Sequence, residues 1–171
     1  MSLTNIEIKA RSGNHDEIRN ILKSRHAEFT GIDHQKDTYF KVNHGRLKLR
    51  EGNIENHLIF YERENISGPK QAEIILFRSD PSSSLKVILE RSLGLLVVVK
   101  KEREIYFIGN VKFHLDKVEN LGEFVEIEAI DKDETIGRER LLEQCETFME
   151  LFKISKDDLI KSSYSDLLLQ K

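Results

Sequence analysis

Charged and apolar residues alternate in "GRLKLREG", residues 45–52, where Arg46, Lys48 and Arg50 stand at spacing two with Leu47 and Leu49 between them. In an extended strand successive side chains point to opposite faces, so the cations share one face and the leucines the other. A solvated sheet face accounts for one such strand, because antiparallel sheets commonly keep a polar face wet. What constrains the fold is recurrence. Glu7 and Lys9 share a face in "NIEIKA", Lys101 and Arg103 in "VVVKKEREI", Lys112, His114 and Asp116 in "VKFHLDK", and Glu126 and Glu128 in "EFVEIEA". The opposite faces are apolar.

The remaining periodicities supply the order of elements. After the strand "NIEIKA", Ile18, Ile21, Leu22 and Phe29 fall near helical spacing in "SGNHDEIRNILKSRHAEF". "KDTYFKV", "RLKLREG" and "NHLIFYERE" are short β-type runs separated by Gly and Asn, which predicts a meander of hairpins. "KQAEIILFRSD" adds a strand, and "DPSSSLKVILERSLG" a short helix with Leu85, Ile88 and Leu89 on its apolar face and Gly94 at its C-terminal cap. "LLVVVKKEREIYFI" and "VKFHLDKVE" form a hairpin across a tight "GN" turn, and "EFVEIEAI" brings the candidate strands to eight. A broad stripe including Leu141, Cys145, Phe148 and Phe152 predicts a helix near the C-terminus, and "SKDDLIKSSYSDLLL" a last helical segment.

A chain of 171 residues with 39% apolar and 33% charged side chains is the usual size and make-up of one domain, taken here as residues 1–171. The formal net charge of −3 gives no reason to invoke a nucleic-acid or membrane surface, and any basic site must be local, built by folding. "MSLTNIEIKA" lacks the blocks of a signal peptide and "LGLLVVV" is too short to span a bilayer, so the cytoplasm is the expected compartment. The single cysteine, Cys145, lies on the apolar side of its helix and is read as a core thiol. No exposed stripe calls for a protein partner; a homodimer is compatible with the sequence but nothing in it requires one.

Two arrangements satisfy the alternation. An open sheet would carry helices on its apolar face and charges toward solvent; a closed barrel would carry helices outside and charges in its lumen. Eight strands can close, and cations and carboxylates are segregated by strand, which suits the lumen. Periodicity does not choose between the two.

The motifs, taken in order, resemble a known family. "NIEIKA", "DTYF", "GRLKLRE", "LIFYERE", "VVVKKEREIYF", "HLDKVENLGEFVEIE" and "SYSDLL" together resemble the CYTH superfamily, named for class IV adenylyl cyclase and thiamine triphosphatase and also called triphosphate tunnel metalloenzymes. The likeness covers nearly the whole chain, and "LDKVENLGEFVEIE" is its most specific stretch. It implies an α+β fold, a closed eight-stranded antiparallel β-barrel forming a tunnel with helices packed outside. By position, Lys9, Lys48, Arg50, Arg63, Lys101 and Arg103 would contact a triphosphate, with Arg46 and Arg78 as additions that rest on alternation alone. Glu7, Glu126 and Glu128 would hold Mg²⁺ or Mn²⁺, with Asp116 close by.

The chemistry agrees with that division of labour, since triphosphate needs several cations and hard divalent ions prefer carboxylate oxygen. Lys9 is the candidate base if neighbouring cations depress its pKa, though a phosphate contact is the simpler role. Tyr39, Tyr61 and Tyr106 are read as packing residues, and His114 as an interior hydrogen-bonded histidine. One departure concerns the family signature E-x-E-x-K, whose first acidic position is Asn5 here; an amide oxygen can still face a cation but brings no charge. The resemblance implies ATP cyclisation to cyclic AMP and pyrophosphate, or hydrolysis of inorganic or thiamine triphosphate; Asn5 adds a third reading, a binder of triphosphate or polyphosphate without turnover.

Overall fold

β1 (Ser2–Arg11) pairs antiparallel with both β5 (Lys70–Arg78) and β8 (Gly122–Asp131), and this double pairing closes the sheet on itself. The other strands are β2 (Glu28–Phe40), β3 (Arg46–Glu51), β4 (Asn56–Arg63), β6 (Leu95–Ile108) and β7 (Val111–Val118). The order around the barrel is β1-β5-β4-β3-β2-β6-β7-β8, antiparallel at every step. This computed structural model describes residues 2–171. Closure decides between the two arrangements left open above: the charged faces turn inward and the apolar faces outward.

Helices cover part of that outer surface. α1 (His15–Ser24) buries Ile18 and Leu22, and α3 (Arg138–Leu151) buries Leu141 and Cys145. Together they pack on the outward Ile6, Ile8, Phe113, Leu115, Val125 and Ile127 of β1, β7 and β8. α1 carries Asp16 and Glu17 in its first turn and Lys23 in its last, the polarity its dipole favours. At the entry to α3, the Asp131 carboxylate accepts hydrogen bonds from the N–H groups of Thr135, Ile136 and Gly137. Gly45 is required where the chain turns from β2 into β3: its φ is +62°, and a Cβ there would come within 2.6 Å of the Phe60 ring.

The structure departs from the sequence expectations in three places. Phe29 belongs to β2, not α1; the helix stops when His26 adopts a φ of 57°, and the Phe29 ring packs 4.8 Å from Tyr106. α2 (Leu85–Leu93) buries no residue, and Val87 and Ile88 are 51% and 60% exposed. The last segment is not one helix but a 3-10 turn (Lys156–Asp158) followed by α4 (Tyr164–Leu169), restarted by Ser163, whose hydroxyl accepts from the Asp166 N–H. Among the described residues no helix is long and apolar enough to cross a membrane.

α4 and the chain before it lie across one end of the barrel. Ile160 donates its N–H to the Lys9 carbonyl, Tyr164 donates to Asp116 at 2.7 Å and packs on Phe124, and Arg46 pairs with Asp166 at 2.7 Å. These contacts reach β1, β7, β8 and β3, so the C-terminal segment spans the opening.

Candidate functional site

Inside the barrel, strand register brings the charges together. Asp37 of β2 lies opposite Arg50 of β3, and it is almost wholly buried. Arg50 donates Nε to Oδ1 at 2.9 Å and Nη2 to Oδ2 at 2.8 Å, a bidentate pair. Lys48 and Lys101 donate to the same Oδ2 at 3.1 and 2.8 Å. Burial would raise the Asp37 pKa, but Arg50, Lys101 and Lys48 outweigh it and hold the carboxyl well below its usual range. So three cations that the sequence singled out converge on one carboxylate that it did not.

A second cluster lies on β6, β7 and β8. Arg103 donates to both Asp116 oxygens at 2.7 and 2.6 Å and to Glu126 at 3.0 Å. Glu126 also meets Lys9 Nζ at 3.3 Å and His114 Nδ1 at 2.9 Å. Burial opposes its ionisation, yet Arg103, Lys9 and His114 hold it well below the ordinary carboxylate range. Burial and Arg103 bring His114 down to about 4 despite Glu126, so near neutral pH the ring is uncharged. Its Nε2 is buried without a hydrogen-bond partner.

The third cluster joins β1, β4 and β8. Arg63 Nη1 donates to Glu7 at 2.8 Å, while its Nε and Nη2 are buried and unpartnered. Burial and Glu126 push the Glu7 pKa up, but Lys9, Arg63 and Lys70 prevail and keep it low. Glu128 faces Glu7 across the β1–β8 ladder, and burial together with Glu7 raises its pKa against the pull of Lys112. Asn5 Nδ2 donates to Glu128 at 2.5 Å, which leaves Asn5 Oδ1 buried with no partner.

Lys9, Lys48, Arg50, Arg63, Lys101 and Arg103 all line one cavity, as do Glu7, Glu126 and Glu128. Asp116 lies behind it, held by Arg103 and Tyr164. Two expected cations do not join them. Arg46 sits at the end of β3 against Asp166, and Arg78 is exposed at the end of β5. Both keep the alternation of their strands, but alternation does not say where a strand leaves the lumen. Of the tyrosines read as packing residues, Tyr39 and Tyr61 line the cavity, whereas Tyr106 lies outside and donates to Glu104.

Four participants went unrecognised in the sequence. Glu55, in the β3–β4 loop, bridges Arg50 at 3.0 Å and Lys112, and no periodicity reaches a loop residue. Lys70 is fully buried and donates to the Ile160 carbonyl at 2.6 Å. Tyr164 places its ring 4.1 Å under Lys9 Nζ. Asp37 and Tyr164 did carry a signal, lying in the motifs "DTYF" and "SYSDLL".

Among the described residues no three His, Cys, Asp or Glu side chains converge into a ready metal cage. The donors nonetheless suit a hard divalent ion: Glu7 and Glu128 face each other, Glu128 is strained toward its neutral form, and the Asn5 oxygen is an unsatisfied acceptor beside them. A cation placed there would relieve both deficits.

The CYTH domain model matches residues 3–164. A Methanocaldococcus jannaschii protein provisionally named an adenylate cyclase is 27% identical over 172 residues, covering 95% of this chain and 97% of that one. Among solved structures, a protein of Vibrio parahaemolyticus with the same provisional name is similar at a TM-score of 0.75 and 23% identity, over 96% of this chain and 97% of that one. A Hippeastrum protein, provisionally named an adenylyl cyclase and described as having a dominant triphosphatase activity, is similar at a TM-score of 0.61 and 14% identity, over 98% and 94% of the two chains.

Proposed function

The chain belongs to the CYTH domain family, and from that premise we propose that residues 1–171 form a single unit whose tunnel binds a triphosphate and breaks one of its phosphorus–oxygen bonds with the help of Mg²⁺ or Mn²⁺. The observation that carries the reading is the convergence of six sequence-predicted cations on one buried cavity. In this reading Lys9, Lys48, Arg50, Arg63, Lys101 and Arg103 take the non-bridging oxygens. Arg63 is the readiest of them, because its two unpartnered donors are already desolvated.

Charge balance supports a metal requirement. With Lys112 seven cations line the cavity, against the carboxylates of Glu7, Glu55, Glu126 and Glu128; Asp37 and Asp116 pair with lining cations from behind, and the buried Lys70 lies near Glu7. A triphosphate brings more negative charge than that small cationic surplus offsets. Glu7, Glu128, Glu126 and the Asn5 oxygen would hold the divalent ion, which when bound neutralises phosphate charge and helps align the reacting groups. The side chains do the rest by position: Arg103 fixes Asp116 and Glu126, Tyr164 covers Lys9, and Asp37 keeps three cations clustered until a substrate competes for them.

The leading reaction is cyclisation of ATP, in which the ribose 3′-hydroxyl attacks the α-phosphorus and pyrophosphate leaves; the name of the Methanocaldococcus jannaschii relative supports it. Hydrolysis by attack of water on the terminal phosphorus is the second reading. The Hippeastrum neighbour carries the cyclase name together with a dominant triphosphatase activity, so the name alone does not separate the two. Lys9 is the candidate base for either: burial lowers its pKa against the pull of Glu126 and Glu7.

The test is a product assay with Mg²⁺ or Mn²⁺ on ATP, thiamine triphosphate and inorganic triphosphate separately. Cyclic AMP with pyrophosphate is the expected result. Orthophosphate without cyclic nucleotide establishes the hydrolase, and binding without product from any of the three would reduce the chain to a binder.

A further inference from the structure

β3 starts at Arg46 beside Asp166, at the end that α4 covers, so its far end and the loop after it, residues 52–55, lie at the open mouth of the barrel. That loop is fastened to β2. Asp33, wholly buried, accepts the Ile54 N–H on Oδ1 and the Glu55 N–H on Oδ2, both at 2.9 Å. Asn53 accepts the His34 N–H at 2.6 Å and donates to the Ile32 carbonyl at 3.0 Å. Glycine is required at position 52, because a Cβ there would come within 2.5 Å of Asp33 Oδ1.

The fastening fixes one carboxylate. Glu55 accepts from Gln35 Nε2 at 3.1 Å, from Arg50 Nη1 at 3.0 Å and from Lys112 Nζ. Arg50 stands on β3 and Lys112 on β7, with β2 and β6 between them in the order around the barrel, so this bridge crosses the lumen. Burial opposes the charge of Glu55, yet Lys112 and Arg50 hold its carboxyl well below the usual range.

The balance of charge therefore changes along the axis. Lys48 lies two residues, roughly 7 Å, deeper than Arg50 on the same strand. In depth Lys48, Arg50 and Lys101 share the single carboxylate of Asp37. At the mouth Lys112 is opposed by Glu55 and also by Glu128, its register partner on β8. Arg50 has no guanidinium nitrogen left over, since Nε and Nη2 go to Asp37 and Nη1 to Glu55.

We propose that Glu55 is a specificity-determining residue that ends the phosphate-binding stretch, so that an anion extending its charge past Arg50 to Lys112 meets a fixed carboxylate. This rests on the triphosphate reading above and adds to it the group that limits the ligand's length. The loop is held through Asp33 and Asn53, so Glu55 cannot back away with its backbone, and a side chain that gave up Arg50 and Lys112 would leave a buried charge unpaired.

The experiment is calorimetry of linear inorganic triphosphate and tetraphosphate, with Mg²⁺, on the intact chain. Wild-type protein is expected to bind tetraphosphate about tenfold or more weakly than triphosphate, the mild end of what juxtaposed like charges cost. Glu55→Gln removes the charge at constant size; tetraphosphate should then tighten by about tenfold and triphosphate far less, closing the gap. Glu55→Ala is the second variant, with the same expectation, should the first fail to fold. Tetraphosphate binding as tightly as triphosphate to the wild type overturns the inference and leaves the tunnel reading standing. So does a substitution that moves both ligands by one factor, the mark of a merely structural role. If neither anion binds, the tunnel reading falls and takes the inference with it.

Discussion

Asp37 and Arg50 meet in a two-point pair, Nε to Oδ1 at 2.9 Å and Nη2 to Oδ2 at 2.8 Å, and that pair also anchors Lys48 and Lys101. On the proposed reading, the carboxylate competes with phosphate oxygens for these three cations. Asp37→Asn removes the competing charge while keeping an oxygen for Arg50. Triphosphate affinity should rise severalfold, and stability should fall by about 3 kcal/mol, the scale for breaking a buried pair. Calorimetry with a melting curve checks both; a weakened triphosphate complex would show that Asp37 serves the ligand instead of rivalling it.

Arg63 offers the converse case. Glu7 satisfies one nitrogen and the other two are buried and unpartnered, an arrangement that costs stability in the free protein. Arg63→Gln should lower triphosphate affinity by roughly tenfold or more, the scale of losing charge-assisted hydrogen bonds, and also lower the melting temperature, because Glu7 is left buried without its pair. Unchanged affinity would remove Arg63 from the binding set.

For the metal, the informative positions are Glu128 and Asn5. Burial and Glu7 raise the Glu128 pKa, so protons compete with a divalent ion there, and the metal concentration for half activity should rise as pH falls. Glu128→Gln should raise that concentration about tenfold at neutral pH, in line with losing a ligating carboxylate, and flatten its pH dependence. Asn5→Glu should lower it. A titration of activity against Mn²⁺ at several pH values reads all three effects; no response to either substitution would place the ion elsewhere.

Lys101 should give binding a pH dependence of its own. Burial, with Arg50, Arg103 and Lys48, brings its pKa down to about 7 despite Asp37. Free Lys101 is then charged below about pH 7 and neutral above it. An anion prefers the charged form, so triphosphate affinity should decline above pH 7, with proton uptake on binding near pH 8. Calorimetry in buffers of different ionisation enthalpy measures the uptake, and Lys101→Met should abolish it.

The strands and the faces of their charges are legible in the sequence because both depend on a period of two, which survives in any strand whatever its neighbours; closure is not, and rested on the resemblance to a family. Lys48, Arg50 and Glu126 could be assigned a face from their own strands. Their partners could not: Asp37 meets Lys101 only because β2 pairs with β6, an adjacency of non-consecutive strands that no single strand's period announces. Glu55 sits in a loop and Tyr164 on a helix that packs across the barrel end, so neither obeys the strand period. α2 shows the opposite failure. Ile88 of its expected apolar face is 60% exposed, since an amphipathic pattern states which face is apolar and not what covers it.

The segment from Ile160 to Leu169 makes the tunnel a cul-de-sac. A bead of phosphate pushed to the Lys9 end has no exit ahead of it, so traffic must reverse. In the proposed reaction, whatever fragment lies deepest after bond cleavage departs last, past any group still resting nearer the doorway, and a long polymer can insert an end but cannot thread through.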